Sequence, residues 1–376
     1  MVLIMAGLFT RSLNEARKAD LGFDANHVLN FTMDPNGIGY NQEQVTRFYA
    51  DLLDRVRNVP GVVSAATARS VPMGYVNSTV GVTTDGTGAD VGLAAAGFNL
   101  VSPSYFATMR IPLLAGREFN GRDGTATPRV AIVNEAFARR YWADQDALGR
   151  QFRISEDPST PIQVVGVARN ARYASPTGTI ESYLYIPFGQ RPGGGFPMEV
   201  LQVRSLAPPS VTSQQIQALV SSLAPGLPIY SVRSMEQALY TMNGLLVFQL
   251  GADLAAALGL LGLTLAVTGV YGVVSYDVSK RTREIGIRLA LGGKPGEIMA
   301  TILHRASIIG LIGLSLGLAA GFIGARAARS VIAVSPADPS VYLIVPLVLA
   351  CAVLVACYLP ARRATQVSPA VTLRNE

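Results

Sequence analysis

Three long runs without charged residues lie in the last third of the chain, at residues 254–276, 306–325 and 341–359. About 20 apolar residues, at a helical rise of about 1.5 Å each, cross the hydrocarbon core of a bilayer. The pattern therefore predicts three transmembrane helices. The first 253 residues carry no apolar run of comparable length, which predicts a separate domain ahead of the helices.

The first two thirds of the chain alternate short apolar strands with amphipathic helices. Asn41 can cap a helix with an apolar stripe, and Asn134 can cap a helix over 135–142. Further helices are predicted at 102–109 and 211–223, and strands at 28–33, 62–68, 130–133, 162–168, 183–186, 200–204 and 229–232. This order predicts an α+β fold for residues 24–233, as one domain or a pair of small ones, joined to an all-α transmembrane domain.

A single helix is predicted to connect the α+β domain to the first transmembrane run. Ser234 and Gln237 have the S-x-x-Q spacing of a capping box, and no strong helix breaker follows before Leu291. A bend near Gly244 that separates two independent segments is the alternative. An unbroken helix could carry motion between the two sides of a membrane.

The loop between the first two apolar runs, residues 279–305, is strongly basic. It contains two acidic residues, Glu284 and Glu297, against Lys280, Arg281, Arg283, Arg288, Lys294 and Arg305. Arginines also follow the third run, at positions 362, 363 and 374. The positive-inside rule places this loop and the C-terminus in the cytoplasm, and the domain at 24–233 on the other side.

The basic loop also has a predicted shape. Apolar positions at helical spacing extend the first transmembrane helix into it, and Gly292 with Gly293 can end that helix. Pro295 suits the first turn of the next helix. Two helices joined at a sharp turn form a protruding elbow suited to docking a partner, although a basic loop can also serve only to set the topology.

The elbow resembles the signature loop of a known family. The string R-T-R-E-I-G-I-R-L-A-L-G-G at 281–293 is similar to that of the FtsX-like permease domain, found in MacB efflux permeases, lipoprotein-releasing permeases and FtsX itself. In that family the loop contacts a separate or fused ATPase. The resemblance implies that the ATPase-coupling residues here are Arg281, Arg283, Glu284, Gly286, Arg288, Gly292 and Gly293.

Strings in the first domain resemble the MacB-type periplasmic core domain. They are S-P-S-Y-F-A-T-M-R-I-P-L-L-A-G-R-E-F (102–119), V-A-I-V-N-E-A-F-A-R-R-Y-W (130–142), A-L-G-R (147–150), V-V-G-V-A-R-N-A-R-Y (164–173) and Y-I-P (185–187). The resemblance implies a periplasmic core domain at 24–233 and an FtsX-like permease domain at 234–376. It also implies a bacterial inner membrane location, with a separate ABC ATPase, a second permease unit and a periplasmic adaptor as partners.

The apolar stretch at residues 1–9 is too short to span a membrane. It is predicted to be either a membrane-surface anchor or the end of a longer, truncated helix, with residues 1–23 connecting it to the core domain. The string after it resembles the segment behind the first transmembrane helix of MacB-like permeases. The chain as a whole resembles the C-terminal half of a duplicated permease of acidobacteria.

Several kinds of chemistry are not expected. The chain lacks the G-x-x-x-x-G-K-[ST] motif, so it is not expected to hydrolyse ATP, and no cofactor is indicated. Its two histidines, His27 and His304, fall on opposite sides of the predicted membrane, which argues against a histidine metal site. The net charge of +6 is spread along membrane flanks without a basic-aromatic stripe, so nucleic-acid binding is not expected. Two functions remain: an export permease subunit, or an FtsX-type signalling protein that activates a periplasmic partner.

Overall fold

The computed structural model describes residues 1–74, 78–84, 94–124, 126–143, 145–190, 199–281, 284, 287, 295–327 and 338–365. The chain divides into two compact units. The sheet unit comprises Ala19–Leu246, and the helical unit comprises Met1–Lys18 together with Val247–Glu376.

The sheet unit contains eleven strands in its described part. They are β1 (Val28–Met33), β2 (Val62–Ala68), β3 (Ser78–Thr84), β4 (Ala94–Val101), β5 (Leu113–Gly116), β6 (Val130–Asn134), β7 (Gln151–Ile154), β8 (Asp157–Ala168), β9 (Tyr183–Pro187), β10 (Glu199–Ser205) and β11 (Ile229–Ser234). Its helices are α2 (Gln42–Val56), α3 (Tyr105–Met109), α4 (Glu135–Trp142), α5 (Pro209–Leu223) and α6 (Met235–Ala238).

One part of the sheet is a four-stranded antiparallel layer in the order β11-β1-β10-β2. Helices α2 and α5 supply the apolar side chains that pack against it. Their core includes Phe31, Leu52, Leu201 and Val220, each of which is buried. The predicted apolar stripe of the helix after Asn41 is therefore the face that α2 buries.

The other part of the sheet closes on itself. Strands β4, β3, β7, β8, β6 and β9 pair in that order, and β9 pairs in turn with β4 in parallel, which makes a ring of six strands. Helix α4 packs its aromatic residues Phe137, Tyr141 and Trp142 into the core of this ring. The sheet unit thus contains one continuous sheet with two separate cores.

The helix caps predicted from local sequence are confirmed. The Asn41 side chain accepts a hydrogen bond from the Gln44 amide at 3.0 Å, and the Gln44 side-chain oxygen accepts one from the Asn41 amide at 2.8 Å. The Asn134 side chain accepts one from the Phe137 amide at 2.9 Å. These contacts satisfy amides at the start of each helix that have no partner within it.

The helical unit contains α1 (Val2–Lys18), α7 (Leu245–Lys280), α8 (Pro295–Ala327) and α9 (Pro339–Thr365). Among the described residues, three stretches are long and apolar enough to cross a membrane, by length and composition: Leu245–Lys280, Gly310–Ala327 and Pro339–Tyr358. Many of their apolar side chains face outward, and Leu265 and Leu343 are each 73% exposed. Such a surface is stable in lipid rather than in water.

Helix α1 is longer than the apolar stretch at residues 1–9, and it packs on two other helices. Ile4 and Leu8 are buried against Ala325 of α8 and Val341 of α9. The close contact of α1 with α8 depends on a small residue, since a Cβ added at Gly321 would lie 2.4 Å from the Ile4 side chain. Small residues at such contacts are typical of packed membrane helices.

The prediction of one unbroken helix from Ser234 to Leu291 is wrong. The capping box at Ser234 forms, but the helix that it starts, α6, ends at Ala238. The chain then turns, and α7 begins at Leu245. A Cβ added at Gly244 would lie 2.0 Å from the Leu239 carbonyl oxygen, so the turn requires a glycine there. The alternative of a bend near Gly244 is the correct one.

Candidate coupling site

The candidate coupling site lies at the end of α7, where the basic loop begins. Arg281 and Glu284 are described by the structure, whereas the predicted coupling residues Arg283, Gly286, Arg288, Gly292 and Gly293 lie outside the described residues. The following helix α8 begins at Pro295, as predicted.

Arg281 is held against the helix by an acidic residue one turn earlier. Its Nε donates to Asp277 Oδ1 at 3.1 Å, and its amide donates to the Asp277 carbonyl oxygen at 3.2 Å. Both side chains are about half exposed, at 44% and 50%, so the ion pair is worth only about 0.3–0.5 kcal/mol. The pair orients the guanidinium without hiding it, and it remains able to meet an acidic partner.

A second cation at the same helix end is oriented by an aromatic ring. Lys280 Nζ lies 4.9 Å from the centre of the exposed Tyr276 ring. A cation over an exposed aromatic face gains about 0.5–1 kcal/mol. The last turn of α7 therefore presents two positive charges in defined positions.

Asp277 is a residue that the sequence analysis missed. Its i, i+4 spacing from Arg281 is the signal in the sequence that points to it. An acidic residue four positions before a basic one is a favourable pair on a helix.

A second arrangement that the sequence analysis missed fixes the inbound segment, residues 19–27, which leads from α1 into the sheet unit. The Arg204 side chain on β10 is 2% exposed. It donates to the carbonyl oxygens of Thr108, Asp24 and Asn26, each at 2.7 Å. The signal in the sequence was an arginine within a predicted strand. In the structure every residue of this strand is buried.

Ion pairs also hold the inbound segment against the sheet unit. The Asp24 carboxylate lies 2.8 Å from Arg110 Nη1 and 3.3 Å from Arg204 Nη1. Burial alone would raise the pKa of Asp24, but the Asn26 amide and the Arg204 guanidinium outweigh it and leave the pKa below its usual value. Burial in turn lowers the pKa of Arg204, which stays protonated because arginine titrates far above neutral pH.

The described residues contain no group of three or more histidine, cysteine or acidic side chains that could hold a metal ion. The described residues therefore provide two contact features. One is the basic end of α7 in the helical unit, and the other is the inbound segment of the sheet unit, which Arg204 holds in place.

Comparison with family models identifies both parts of the chain. Residues 1–223 match the MacB-like periplasmic core domain, and residues 256–369 match the FtsX-like permease C-terminal domain. The chain belongs to the family of MacB-like and FtsX-like ABC transporter permeases.

Curated relatives agree with this assignment. The chain is 27% identical over 345 residues to the macrolide export ATP-binding/permease protein MacB of Chromobacterium violaceum, covering 87% of this chain and 50% of that protein. It is 26% identical over 287 residues to the ABC transporter permease YknZ of Bacillus subtilis, covering 74% and 70% respectively. The chain spans about half the length of the MacB relatives that it matches.

Two solved structures resemble part of the chain. The periplasmic region of MacB from Actinobacillus actinomycetemcomitans covers 57% of this chain and 92% of its own, at 15% identity and a TM-score of 0.40. The extracellular domain of the transporter YknZ covers 55% and 98%, at 14% identity and a TM-score of 0.37.

Proposed function

We propose that the chain is the permease subunit of an ABC-type export complex. In this proposal a separate ATPase binds the basic loop at 279–305, and ATP hydrolysis moves the sheet unit on the far side of the inner membrane. Membership of the permease family in both halves of the chain is the observation that carries the proposal. The chain itself acts as a transmitter of motion and not as an enzyme.

The described end of α7 supports a docking role for this loop. Arg281 and Lys280 are positioned there by Asp277 and Tyr276, at a helix end that carries partial negative charge. An acidic surface on the ATPase would complement both cations. The glycines at 292 and 293 are proposed to form the turn of the elbow.

The proposal extends to the assembly. Two permease units and a periplasmic adaptor are proposed to complete the complex, with the C-terminus in the cytoplasm. The MacB relatives are described as macrolide exporters, so a macrolide is the first substrate to test.

The proposal is tested by co-purification from membranes. A separate ABC ATPase from the same organism is expected to purify with the chain and to change its ATPase rate on binding. Failure to form a complex, with both proteins folded and inserted, contradicts the proposal. A complex whose ATPase rate responds to a periplasmic protein but to no exported compound favours the FtsX-type signalling function.

Charge reversal at Arg283 and Arg288 tests the docking surface. The double variant is expected to lose most of the ATPase stimulation, since like charges across an interface repel. Insertion into the membrane should be unchanged. Reversal of Arg47 and Arg55 on α2 makes the same change in net charge within the sheet unit and serves as the control. Normal stimulation in the Arg283 and Arg288 variant would remove this loop from the interface.

A further inference from the structure

The segment after β8, residues 169–173, contacts the chain where it enters the sheet unit, and one intermediate loop links it to the chain where it leaves. We call it the junction segment. The chain enters through the inbound segment, residues 19–27, and leaves through the outbound segment, residues 239–244. The outbound segment is the turn that interrupts the predicted long helix.

The inbound segment lies directly on the junction segment. The Arg172 amide donates to the Leu21 carbonyl oxygen at 2.9 Å, and Arg169 pairs with the Asp20 carboxylate. Gly22 has a φ of +78°, and a Cβ added to it would lie 1.9 Å from the Asn170 carbonyl oxygen. Only glycine allows this approach.

The outbound segment reaches the junction segment through one intermediate loop. The Tyr173 carbonyl oxygen accepts a hydrogen bond from the Met73 amide at 2.7 Å. The Met73 carbonyl oxygen in turn accepts one from the Thr241 hydroxyl, and Asn243 Nδ2 donates to the Gly74 carbonyl oxygen at 3.0 Å. Met73 and Thr241 are 0% and 3% exposed, so water cannot easily replace the bond between them, whereas the Asn243 bond is exposed.

The junction segment is itself anchored in the sheet unit. The Tyr173 ring stacks on Tyr183 of β9 with 4.0 Å between ring centres, and its hydroxyl bonds to that of Tyr105. The Asn170 side chain accepts from the Ala136 amide at 2.9 Å, at the start of α4. A displacement of the segment must therefore displace the closed ring of strands.

We infer that the junction segment couples the inbound and outbound segments, so that a shift of either one is felt by the other and by the six-stranded ring. Gly22 and Thr241 are the positioning residues at its two sides. The coupling is a property of the sheet unit alone. Its use in moving that unit during transport rests on the proposed function.

Hydrogen exchange in the full-length protein, reconstituted in lipid nanodiscs, measures this coupling at two amides. The Met73 amide reports the outbound side, and the Arg172 amide reports the inbound side. Thr241→Val removes one hydroxyl and no bulk, and should speed exchange at Met73. The inference adds that exchange at Arg172 also rises, by about threefold to tenfold, the equivalent of one lost hydrogen bond.

The reciprocal variant is Gly22→Ala, which pushes on Asn170 and should speed exchange at Met73 as well as at Arg172. Gly39→Ala is its control, because Gly39 has a φ of +87° with nothing within 4 Å of an added Cβ. Thr46→Val is the control for Thr241, since Thr46 makes a similar hydroxyl-to-carbonyl bond within α2. Neither control should alter exchange at the two amides.

The change in exchange at the amide on the opposite side from each substitution tests the inference. If each variant changes exchange only on its own side, the inference is overturned. If Gly22→Ala does not fold, as judged by the fluorescence of the buried Trp142, the Thr241→Val measurement decides alone. Exchange requires no ATPase, so this outcome is independent of the proposed function.

A second measurement links the junction to transport. In the complex with the ATPase, Thr241→Val is expected to leave ATP hydrolysis stimulated while reducing the ATP-dependent change in exchange across β9. An unchanged response in β9 would show that the coupling is not used in transport. Absence of any ATPase complex would instead contradict the proposed function and leave the coupling result standing.

Discussion

The guanidinium of Arg204 donates to three carbonyl oxygens from two separate parts of the chain, which are 96 and about 180 positions away. A buried charge is tolerated only where its donors are satisfied, and here the backbone supplies the acceptors. One side chain thus joins β10, α3 and the inbound segment.

Arg204→Met is expected to destabilise the sheet unit by about 2–4 kcal/mol, because three carbonyl oxygens lose the Arg204 donor and the Asp24 carboxylate loses one of its two arginine partners. Chemical denaturation followed by the fluorescence of Trp142, the single tryptophan, measures the change. Arg47→Met on the exposed face of α2 is the control and should change stability by less than about 0.5 kcal/mol. Equal effects of the two substitutions would contradict the assigned role of Arg204.

Asp123 and Arg117 should make stability depend on pH. Their side chains form two parallel hydrogen bonds of 2.7 and 2.8 Å, and these bonds hold the pKa of Asp123 below its usual value. A lowered pKa in the folded state stabilises the fold above the unfolded pKa of about 3.9. That stability is lost as the pH falls below about 4 and through the lowered value.

Asp123→Asn is expected to lower the free energy of unfolding by about 1–2 kcal/mol at neutral pH. The difference in free energy of unfolding between the variant and wild type should become smaller below about pH 4, as Asp123 becomes protonated. The free energy of unfolding, measured at intervals from about pH 7 to pH 3, tests this. A constant difference across that range would show that the charge on Asp123 does not contribute.

At the scale of secondary structure, the turn at 239–244 separates α6 from α7. Thr241 and Asn243 bind the loop that contains Met73, and Gly244 passes close to the Leu239 carbonyl oxygen. These contacts outweigh the helix propensity of the surrounding residues, because propensity contributes less than about 1 kcal/mol per residue.

Gly244→Ala is therefore expected to destabilise the turn by about 1–3 kcal/mol, since the methyl group would overlap a backbone atom. Gly262→Ala within α7 has open space and should be neutral or slightly stabilising. Hydrogen exchange at Leu245 and Leu246, whose amides bond back to the turn, measures the effect. A variant at 244 that exchanges as slowly as wild type would contradict the role of this contact.

Elements determined by local chemistry were predictable from the sequence. The caps at Asn41, Asn134 and Ser234 depend on contacts three residues apart, and the long apolar helices depend on composition. Strand β4, with the sequence A-A-A-G-F-N-L-V, has no alternating pattern, and it was missed because it lies inside the sheet, paired with β3 on one side and with distant β9 on the other. The same division applies to the candidate site: Arg281 is a prediction from its motif, whereas the role of Arg204 depends on partners far away in the chain and could not be predicted.

At the scale of the whole molecule, the orientation of the chain in the membrane follows from charge alone in the proposed topology. A fluorescent protein fused after Glu376 is expected to be bright, and alkaline phosphatase fused there inactive, if the C-terminus is cytoplasmic. The same reporters inserted after Gly178, which lies on the surface of the sheet unit, should give the opposite pattern. Matching signals from the two positions would contradict the proposed placement on opposite sides.

The contacts of the junction segment also bear on how such proteins diversify. The inbound segment bonds to Arg172, and the outbound segment bonds to Met73, which in turn bonds to Tyr173, so the two ends of the sheet unit lie close together. A domain whose ends are close can be inserted into, or removed from, a host chain with little disturbance to either. Under the proposed function, the sheet unit could thus be exchanged as one cassette between Lys18 and Leu245, which would let the same membrane helices serve a different exported compound after a single recombination.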